Sequence, residues 1–285
     1  MSSSNAAKTW LITGCSSGLG RALAGRVLAR GDRLVASARD PGSVLDLVRA
    51  FPDRCRPLAL DVTDSARVGQ AVDEAAGMFA GLDVVVNNAG YGLIGALEEV
   101  SEDQIRRCLD TNFLGALRVI RAALPILRGQ RRGHFVNVSA AAAISNYPGF
   151  SIYGAAKCAL ESVSESLAAE CRPLGIKVTI VQPGPFRTDF ISRSLERAPE
   201  AIPDYDASSG KFLRLIQGMD GRQPGDPLRA AESVIAAVCS DNPPLRLVLG
   251  KYAVSKARQR RATLDRELDA WEAIGLPTDY APGAP

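Results

Sequence analysis

The chain is poor in the residues that bind metals, with one histidine and no Cys-x-x-Cys pair. A structural zinc site needs four cysteine or histidine ligands, usually in closely spaced pairs. We therefore expect no metal site. Thiols without close partners in sequence are typical of a reducing compartment, which favours a cytoplasmic protein. The cysteines are Cys15, Cys55, Cys108, Cys158, Cys171 and Cys239.

Long apolar runs and an excess of one charge are also lacking. No run of 18 apolar residues occurs, so we expect no membrane span. Residues 1–7 are polar and do not have the apolar segment of a secretory signal. The net charge is +3, and the basic residues cluster only over 256–261, where acidic residues follow closely. That pattern favours a solvated helix face, so we expect no nucleic-acid partner.

Strand and helix patterns alternate along the first two thirds of the chain. Central strands such as 83–87 are apolar on both faces, which is typical of a parallel sheet covered by helices on each side. The sequence predicts an α/β, doubly wound Rossmann-type fold with a seven-stranded parallel sheet and helices on both faces. The predicted strands are 9–13, 33–37, 55–61, 83–87, 134–139, 177–182 and 246–249, and the main helices are 19–30, 66–79, 105–127 and 153–172.

The length favours a single domain over 1–285, and 46% apolar against 23% charged residues suits a large core. We expect a core over about 8–188. The segment 187–227 mixes apolar residues with Gly, Pro, Ser and Asp, as substrate lids often do. Apolar positions at helical spacing predict a C-terminal helix over about 252–274.

A glycine-rich turn follows the first predicted strand and opens the first helix. Glycine is needed where a backbone turns sharply or approaches a ligand closely, and a helix N-terminus offers free N–H groups to a pyrophosphate. The spacing Gly-x-x-x-Gly-x-Gly differs from the commoner Gly-x-Gly-x-x-Gly, and a plain turn is the alternative. The predicted phosphate-binding residues are Gly14, Ser16, Ser17, Gly18, Leu19 and Gly20.

The end of the second strand favours NADP over NAD. An acidic residue there would bind the ribose 2′-hydroxyl of NAD, but the chain has Arg39, whose planar guanidinium suits a 2′-phosphate. Asp40 could pair with Arg39 or begin the next turn. At the end of the third strand, Asp61 could accept a hydrogen bond from the adenine amino group or cap the following helix, and both interpretations remain open.

Tyr153 and Lys157 are one helical turn apart, so their side chains share a face. A neighbouring ammonium favours a phenolate, so this spacing predicts that Lys157 lowers the pKa of Tyr153 towards the working pH. A phenol tuned in this way can exchange a proton with a carbonyl or alcohol oxygen. Ser139 lies fourteen residues upstream, at the end of a predicted strand, where its alternative role is that of a turn residue or helix cap.

Taken together, these motifs resemble the short-chain dehydrogenase/reductase family in its compact single-domain branch. The resemblance covers about 8–188. Within the family, the chain is similar to a bacterial group related to hydroxysteroid and retinol dehydrogenases. The matching elements are the glycine turn, Asn-Asn-Ala-Gly at 87–90, Asn112, Ser139, Tyr153 with Lys157, and Pro-Gly at 183–184.

The resemblance implies a role for each matching residue. Tyr153 would be the general acid or base, Lys157 would bind the nicotinamide ribose, and Ser139 would bind the substrate oxygen. Asn112 would position a water molecule that links Lys157 to solvent, or, alternatively, bond backbone groups in a distorted helix. The family also implies a homodimer or homotetramer through the helices 105–127 and 153–172. Further cofactor contacts are expected from Val62, Asn88, Ala89, Gly90, Pro183, Gly184, Phe186 and Thr188.

The expected activity is NADP(H)-dependent interconversion of a secondary alcohol and a ketone or aldehyde on an apolar small molecule. One alternative is a dinucleotide-sensing protein without catalysis. Another is an epimerase or dehydratase that acts through a keto intermediate. We expect His134 to be a turn or surface residue and Cys15 to fill a small neutral space. The apolar residues expected in the lid core or substrate wall are Phe186, Phe190, Phe212, Leu213, Leu215 and Ile216.

Overall fold

The computed structural model describes residues 7–280, so most of the polar segment 1–7 lies outside the described residues. Seven parallel strands form the main sheet in the order β3-β2-β1-β4-β6-β7-β9. The predicted seven-stranded parallel Rossmann-type sheet is confirmed. The strands are β1 Thr9–Ile12, β2 Arg33–Ala38, β3 Cys55–Ala59, β4 Val84–Asn87, β5 Gly92–Ile94, β6 Gly133–Val138, β7 Ile176–Pro183, β8 Leu195–Arg197 and β9 Arg246–Leu249.

Helices connect the strands and cover both faces of the sheet. They are α1 Gly18–Arg30, α2 Leu45–Ala50, α3 Ser65–Met78, α4 Glu102–Leu109, α5 Gly115–Gln130, α6 Ala141–Ile144, α7 Ser151–Cys171, α8 Phe190–Arg193, α9 Lys211–Gly218, α10 Pro227–Cys239 and α11 Lys251–Gly275. No helix within residues 7–280 combines the length and apolar character needed to cross a bilayer.

Alternate residues of the central strands pack into two different apolar clusters. On β1, Trp10 and Ile12 belong to the cluster under α1 and α10, whereas Leu11 belongs to the cluster under α3, α5 and α7. Because both faces of the strand are covered, its side chains are fully buried. The strand order reverses between β1 and β4, and in sheets of this type the crevice at the carboxyl ends of such strands is the usual ligand site.

Three local features differ from the prediction. The predicted helix 105–127 is interrupted by a π-helical turn, Asp110–Leu114, and it begins earlier because Ser101 and Gln104 form a capping box. Helix α10 lies in a region where no helix was predicted. Within the predicted lid, β8 pairs in parallel with β5 to form a small second sheet.

His134 lies in β6 and is buried, so the prediction of a turn or surface histidine is wrong. Its Nε2 is 2.9 Å from the hydroxyl of Thr179. Burial lowers the pKa of His134 to about 4, so the ring is neutral near pH 7. Within residues 7–280, no three His, Cys, Asp or Glu side chains are grouped in a way that could hold a metal ion.

Candidate active site

The glycine turn is fastened to the end of β4 by Asn88. Its Nδ2 donates to the carbonyl oxygens of Thr13, at 2.9 Å, and Gly14, at 3.1 Å. The Thr13 hydroxyl accepts hydrogen bonds from the backbone N–H groups of Asn88 and Ala89. A Cβ at Gly20 would overlap both the Asn88 amide and the Gly14 carbonyl. The turn and the start of the 88–90 segment therefore form one fitted unit, and Asn88 uses its amide within the protein.

The N-terminus of α1 is open to a ligand. Within the described residues, no side chain caps this end of the helix, although Ser17 stands at the N-cap position. Gly14 and Gly18 adopt positive φ angles of 72° and 61°, which keep the backbone close to the helix end without a Cβ. Free N–H groups and the positive end of the helix dipole suit a pyrophosphate. The predicted phosphate site, with Ser16 and Leu19 partly exposed beside it, therefore fits a dinucleotide.

At the end of β2, Arg39 is exposed and makes no ion pair within residues 7–280. Asp40 instead accepts a hydrogen bond from the N–H of Gly42 at 2.9 Å, so it begins the turn and leaves Arg39 available. The Ser37 hydroxyl, next to this position, is buried without a hydrogen-bond partner among the described residues. Arg39 is therefore placed to receive an anionic group.

Asp61 follows β3 and does not cap the next helix. Its Oδ1 accepts hydrogen bonds from the backbone N–H and the hydroxyl of Thr63, at 2.9 and 2.7 Å. The N-cap of α3 is Asp64, which accepts from the N–H groups of Ala66 and Arg67. The capping alternative for Asp61 is therefore wrong, and its Oδ2 makes no hydrogen bond within the described chain.

Val62 is buried against the start of α5, where a Cβ at Gly115 would overlap it. Its carbonyl oxygen accepts a hydrogen bond from Arg118 at 3.2 Å. The Arg118 guanidinium also donates to Asp110 at 2.7 Å. Through these contacts, Val62 packs against α5 and fixes the backbone between β3 and α3.

Tyr153 and Lys157 lie in the first two turns of α7, and both are buried. Lys157 Nζ is 5.9 Å from the centroid of the Tyr153 ring and donates to the Val138 carbonyl at 3.0 Å. Burial raises the pKa of Tyr153 above its usual value, with a smaller contribution from Cys108, and burial lowers the pKa of Lys157 to about 8. For the protein alone, the predicted lowering of the Tyr153 pKa is wrong, because burial raises it.

Asn112 lies in the π-helical turn and is buried. Its Nδ2 donates to the carbonyl oxygens of Tyr91 and Cys108, both at 3.0 Å, and its Oδ1 accepts from the Tyr91 N–H at 3.2 Å. A Cβ at Gly90 would lie 2.5 Å from Asn112 Oδ1 and 3.4 Å from Lys157 Nζ. The structure therefore brings Gly90, Asn112 and Lys157 together, and the Asn112 side chain bonds backbone groups, as its alternative interpretation predicted.

Ser139 follows β6 directly and is buried. Its hydroxyl donates a hydrogen bond of 2.5 Å to Oε1 of Glu161. Sequence reasoning missed Glu161, although its position one turn beyond Lys157 places it on the same face of α7. A carboxylate on a helix is usually solvated, so only the structure reveals that Glu161 is buried beside Ser139.

The segment after β7 folds back over the glycine turn. The N–H of Gly184, which follows Pro183, donates to the Leu249 carbonyl at 3.0 Å, and the N–H of Thr188 donates to the Phe186 carbonyl at 2.9 Å. A Cβ at Gly18 would lie 4.0 Å from the Thr188 Cβ. Thr188 thus lies beside the open N-terminus of α1.

An aromatic wall borders Tyr153. The Phe150 and Tyr153 rings are 5.2 Å apart, and Phe190 approaches Tyr153 at 6.1 Å. Tyr147 and Phe212 stack at 4.8 Å, and Phe212 meets Phe150 at 5.3 Å. Leu213 and Ile216 pack against the same cluster. In contrast, Phe186 packs against the core cluster under α1 and α10, and Leu215 is exposed. The apolar residues expected in the lid core or substrate wall therefore do not all lie in one place.

Helix α11 contacts this wall at Tyr147. The hydroxyls of Tyr147 and Tyr252 are 2.9 Å apart. Lys256 Nζ lies 3.3 Å from the centroid of the Tyr147 ring, on which it makes a cation–π contact. Burial lowers the pKa of Lys256 to about 8. Neither contact was foreseen, because no spacing rule links residues that are about a hundred positions apart.

Cys15 is fully buried within the glycine turn, and its Sγ lies 3.1 Å from the Ile12 carbonyl oxygen. Burial raises the pKa of this thiol to about 12, so it stays protonated near neutral pH. It fills a small neutral space, as predicted.

The chain is similar in sequence to known oxidoreductases. An oxidoreductase, BOA17, of Botryotinia fuckeliana is 37% identical over 270 residues, which are 94% of this chain and 98% of that protein. Retinol dehydrogenase 8 of Bos taurus is 34% identical over 256 residues, covering 85% of this chain and 81% of its own. The latter agrees with the predicted similarity to retinol dehydrogenases.

Solved structures and a family profile agree with the sequences. A short-chain dehydrogenase from Streptomyces avermitilis has a TM-score of 0.91 and 40% identity, and the match covers 97% of this chain and 100% of that one. A short chain dehydrogenase/reductase from Burkholderia phymatum, in complex with NAD, has a TM-score of 0.80 and 26% identity, with coverages of 92% and 95%. The profile described as short chain dehydrogenase matches residues 8–198. The chain therefore belongs to the short-chain dehydrogenase/reductase family of oxidoreductases.

Proposed function

We propose that the protein transfers a hydride between NADP(H) and an apolar small molecule, interconverting a secondary alcohol and a ketone or aldehyde. The observation that carries the proposal is the burial of Tyr153 and Lys157 together beside an aromatic wall, at the edge of the sheet where the open end of α1 suits a pyrophosphate. Nicotinamide would supply the hydride chemistry when it is bound.

The chain's own residues would handle the substrate oxygen and its proton. Negative charge develops on the carbonyl oxygen as hydride arrives, so a donor fixed at that oxygen stabilises the transition state more than the ground state. The raised pKa of Tyr153 keeps its hydroxyl protonated in the protein alone, as a proton donor must be. Lys157, beside Gly90, would hold the nicotinamide ribose, and Asn112 would position a water molecule that links Lys157 to solvent as a proton path.

The preference for NADP over NAD rests on Arg39. Its guanidinium is exposed and not engaged in an ion pair within the described chain, while Asp40 is turned away onto Gly42. Arg39 would therefore bind the 2′-phosphate, and Asp61 would accept a hydrogen bond from the adenine. The structural relatives do not favour one cofactor. One was solved in complex with NAD, and another, at 25% identity, with NADP bound.

The aromatic wall supports an apolar substrate, because Phe150 and Phe190 border the Tyr153 ring and Phe212 packs against Phe150. The segment 187–227 would act as the substrate lid over a single domain whose core spans about 8–188. We further propose a cytoplasmic homodimer or homotetramer that pairs through α4, α5 and α7.

A screen of ketones, aldehydes and secondary alcohols with NADPH and NADP⁺ tests the proposal, with absorbance of the reduced nicotinamide as the readout. Apolar aliphatic and cyclic ketones should be turned over with NADPH, and the matched alcohols should be oxidised with NADP⁺. Repeating the screen with NADH and NAD⁺ measures the cofactor preference. Binding of NADPH without any change in absorbance across the panel would support a dinucleotide-sensing protein instead.

A further inference from the structure

A polar cleft lies along helix α11, next to the aromatic wall. Its volume is about 520 Å³, which is within the range of small-molecule sites. All the residues that line it are polar, and none of them is acidic. The lining includes two cations and several hydroxyl groups, from Lys256, Arg260, Ser145, Tyr252, Ser255 and Thr263.

The two cations of the cleft lie one helical turn apart on α11, so their side chains share a face of the helix. Like charges at this spacing repel each other and destabilise a helix. Arg261 has the carboxylate of Asp265 at 3.9 Å, but neither Lys256 nor Arg260 forms an ion pair within residues 7–280. The cleft therefore holds two positive charges that the described chain does not neutralise.

The burial of Lys256 agrees with the lack of a carboxylate partner. The side chain is half-buried, and burial lowers its pKa to about 8. A carboxylate beside the ammonium would act in the opposite direction and raise the pKa. Because a pKa of about 8 still leaves most of the lysine protonated near pH 7, the ammonium keeps its charge and can bind an anion.

Hydroxyl groups on both sides of the cleft can add hydrogen bonds to such an anion. Ser145 follows the short helix α6 and lies across the cleft from α11, which contributes Ser255 and Thr263. Hydrogen bonds from lysine and arginine to a carboxylate or a phosphate are stronger than those between neutral groups. The lining therefore suits a carboxylate or a phosphate rather than a neutral or cationic group.

Tyr147 connects the cleft to the proposed catalytic tyrosine. Lys256 Nζ lies 3.3 Å from the centroid of the Tyr147 ring, and the Tyr252 hydroxyl is 2.9 Å from that of Tyr147. The Phe150 ring is 6.1 Å from Tyr147 and 5.2 Å from Tyr153. A continuous row of aromatic rings thus leads from Tyr153 to the ammonium, over a length that an elongated small molecule can span.

We propose that the cleft binds the anionic end, a carboxylate or a phosphate, of a substrate whose apolar body lies along the aromatic wall. Lys256 and Arg260 hold the anion, and the carbonyl at the other end of the molecule reaches Tyr153. The proposal rests on the proposed function, since it takes Tyr153 to act on the substrate. It narrows the substrate class to apolar ketones or aldehydes that carry one negative charge.

Straight-chain keto acids of increasing length, compared with their methyl esters, test this assignment. The ester keeps the apolar chain and removes the charge, and turnover is followed by the absorbance of NADPH. At the best chain length, kcat/KM for the acid should exceed that for the ester by roughly 10- to 100-fold, as expected for hydrogen bonds to a charged group.

Lys256→Met and Arg260→Gln should each reduce this ratio of acid to ester at least about fivefold. Lys256→Met also removes a contact with Tyr147, but damage to the wall changes the turnover of acid and ester alike and leaves the ratio unchanged. Lys256→Arg keeps the charge and should keep most of the preference. Arg258→Gln is the matched control, because Arg258 is an exposed cation of α11 that does not line the cleft.

Calorimetric titration with inorganic phosphate tests the cleft without turnover. The complex with NADPH is titrated, so that the dinucleotide occupies its own phosphate sites. Phosphate should bind to the wild type and to Arg258→Gln, and its dissociation constant should rise at least about tenfold in Arg260→Gln. Absence of phosphate binding to the wild type would overturn the anion site.

The two experiments separate the possible failures. A ratio of acid to ester near one at every chain length, or a ratio that Lys256→Met and Arg260→Gln leave unchanged, would overturn the proposal while the proposed function stands. Phosphate binding together with equal turnover of acids and esters would mean that the cleft takes a free anion, which also overturns the assignment to the substrate. No turnover of either series would count against the proposed function, and the phosphate titration then decides about the cleft alone.

Discussion

Lys157 Nζ lies 5.9 Å from the centroid of the Tyr153 ring and only 3.0 Å from the carbonyl oxygen of Val138, to which it donates. The ammonium is therefore anchored to the end of β6 rather than to the phenol. This anchoring holds the charge next to Gly90. Burial raises the pKa of Tyr153, and a smaller contribution from Cys108 raises it further.

Lys157 should make the stability of the protein rise with pH above 8. Its folded-state pKa of about 8 lies below the ordinary 10.5, so the unfolded chain binds more protons between these values and the free energy of unfolding increases with pH. We expect a gain of about 1–2 kcal/mol between pH 8 and pH 9.5 that Lys157→Met lacks. Urea unfolding of both proteins at each pH measures it, and equal pH slopes would rule out a buried, depressed lysine.

Gly20 should not tolerate alanine. A Cβ there would overlap the Asn88 amide and the Gly14 carbonyl, so Gly20→Ala must displace the unit that forms the phosphate site. We expect the dissociation constant for NADPH to rise at least about tenfold. A misplacement of about 1 Å of a positioning group can cost on the order of 100-fold in rate, and a comparable shift of the phosphate site should weaken binding. Calorimetric titration with NADPH measures the change.

Gly25→Ala is the matched control for that change. Gly25 lies in the same helix, α1, and a Cβ there would have no heavy atom within 4 Å. Alanine favours a helix over glycine by up to about 1 kcal/mol, so this variant should be at least as stable as the wild type and bind NADPH normally. Equal losses in both variants would mean that α1 as a whole, not the fitted turn, controls binding.

Arg39→Ala should weaken NADPH binding and leave NADH binding nearly unchanged. Hydrogen bonds to charged groups contribute about 1.5–3 kcal/mol, so the dissociation constant for NADPH should rise roughly 10- to 100-fold. Arg49→Ala, which removes an exposed positive charge from α2, controls for net charge. If both nucleotides lose affinity equally in Arg39→Ala, the 2′-phosphate is bound elsewhere.

The contact between Lys256 and Tyr147 should contribute measurably to stability. The ammonium lies 3.3 Å from the ring centroid and is half-buried, and such cation–π pairs are worth about 0.5–2 kcal/mol. A double-mutant cycle of Lys256→Met and Tyr147→Leu, followed by urea unfolding, should give a coupling energy in that range. Additive effects would show that α11 does not brace the aromatic wall through this pair.

Much of the fold was predictable from the sequence because the signals are local. The alternation of short apolar strands with helices led to the seven-stranded sheet, and the position of the glycine turn after β1 followed from its neighbours. The pairing of β5 with β8 could not be foreseen, since each strand has three residues and they lie about a hundred positions apart. The sequence does not predict helix α10, because its start at Pro227 directly follows a segment rich in Gly, Pro, Ser and Asp.

The site was less predictable where the pKa of a side chain depends on how deeply it is buried. Spacing placed Tyr153 and Lys157 on one face of a helix, but only the structure shows how deeply both are buried, and that reversed the expected pKa direction for Tyr153. Glu161 was overlooked for the same reason. The sequence offers two roles for Asp61, and the structure excludes the capping role because Asp64 caps α3.

Tyr153→Phe tests the central claim most directly, because it removes one hydroxyl from a buried ring. Steady-state turnover of the best substrate from the screen is measured beside the dissociation constant for NADPH, obtained from nucleotide fluorescence. We predict that kcat falls by about 10²- to 10⁴-fold, the usual contribution of a positioned acid or base, while NADPH binds almost as in the wild type. Turnover at the wild-type rate in the purified variant would contradict a proton transfer by Tyr153.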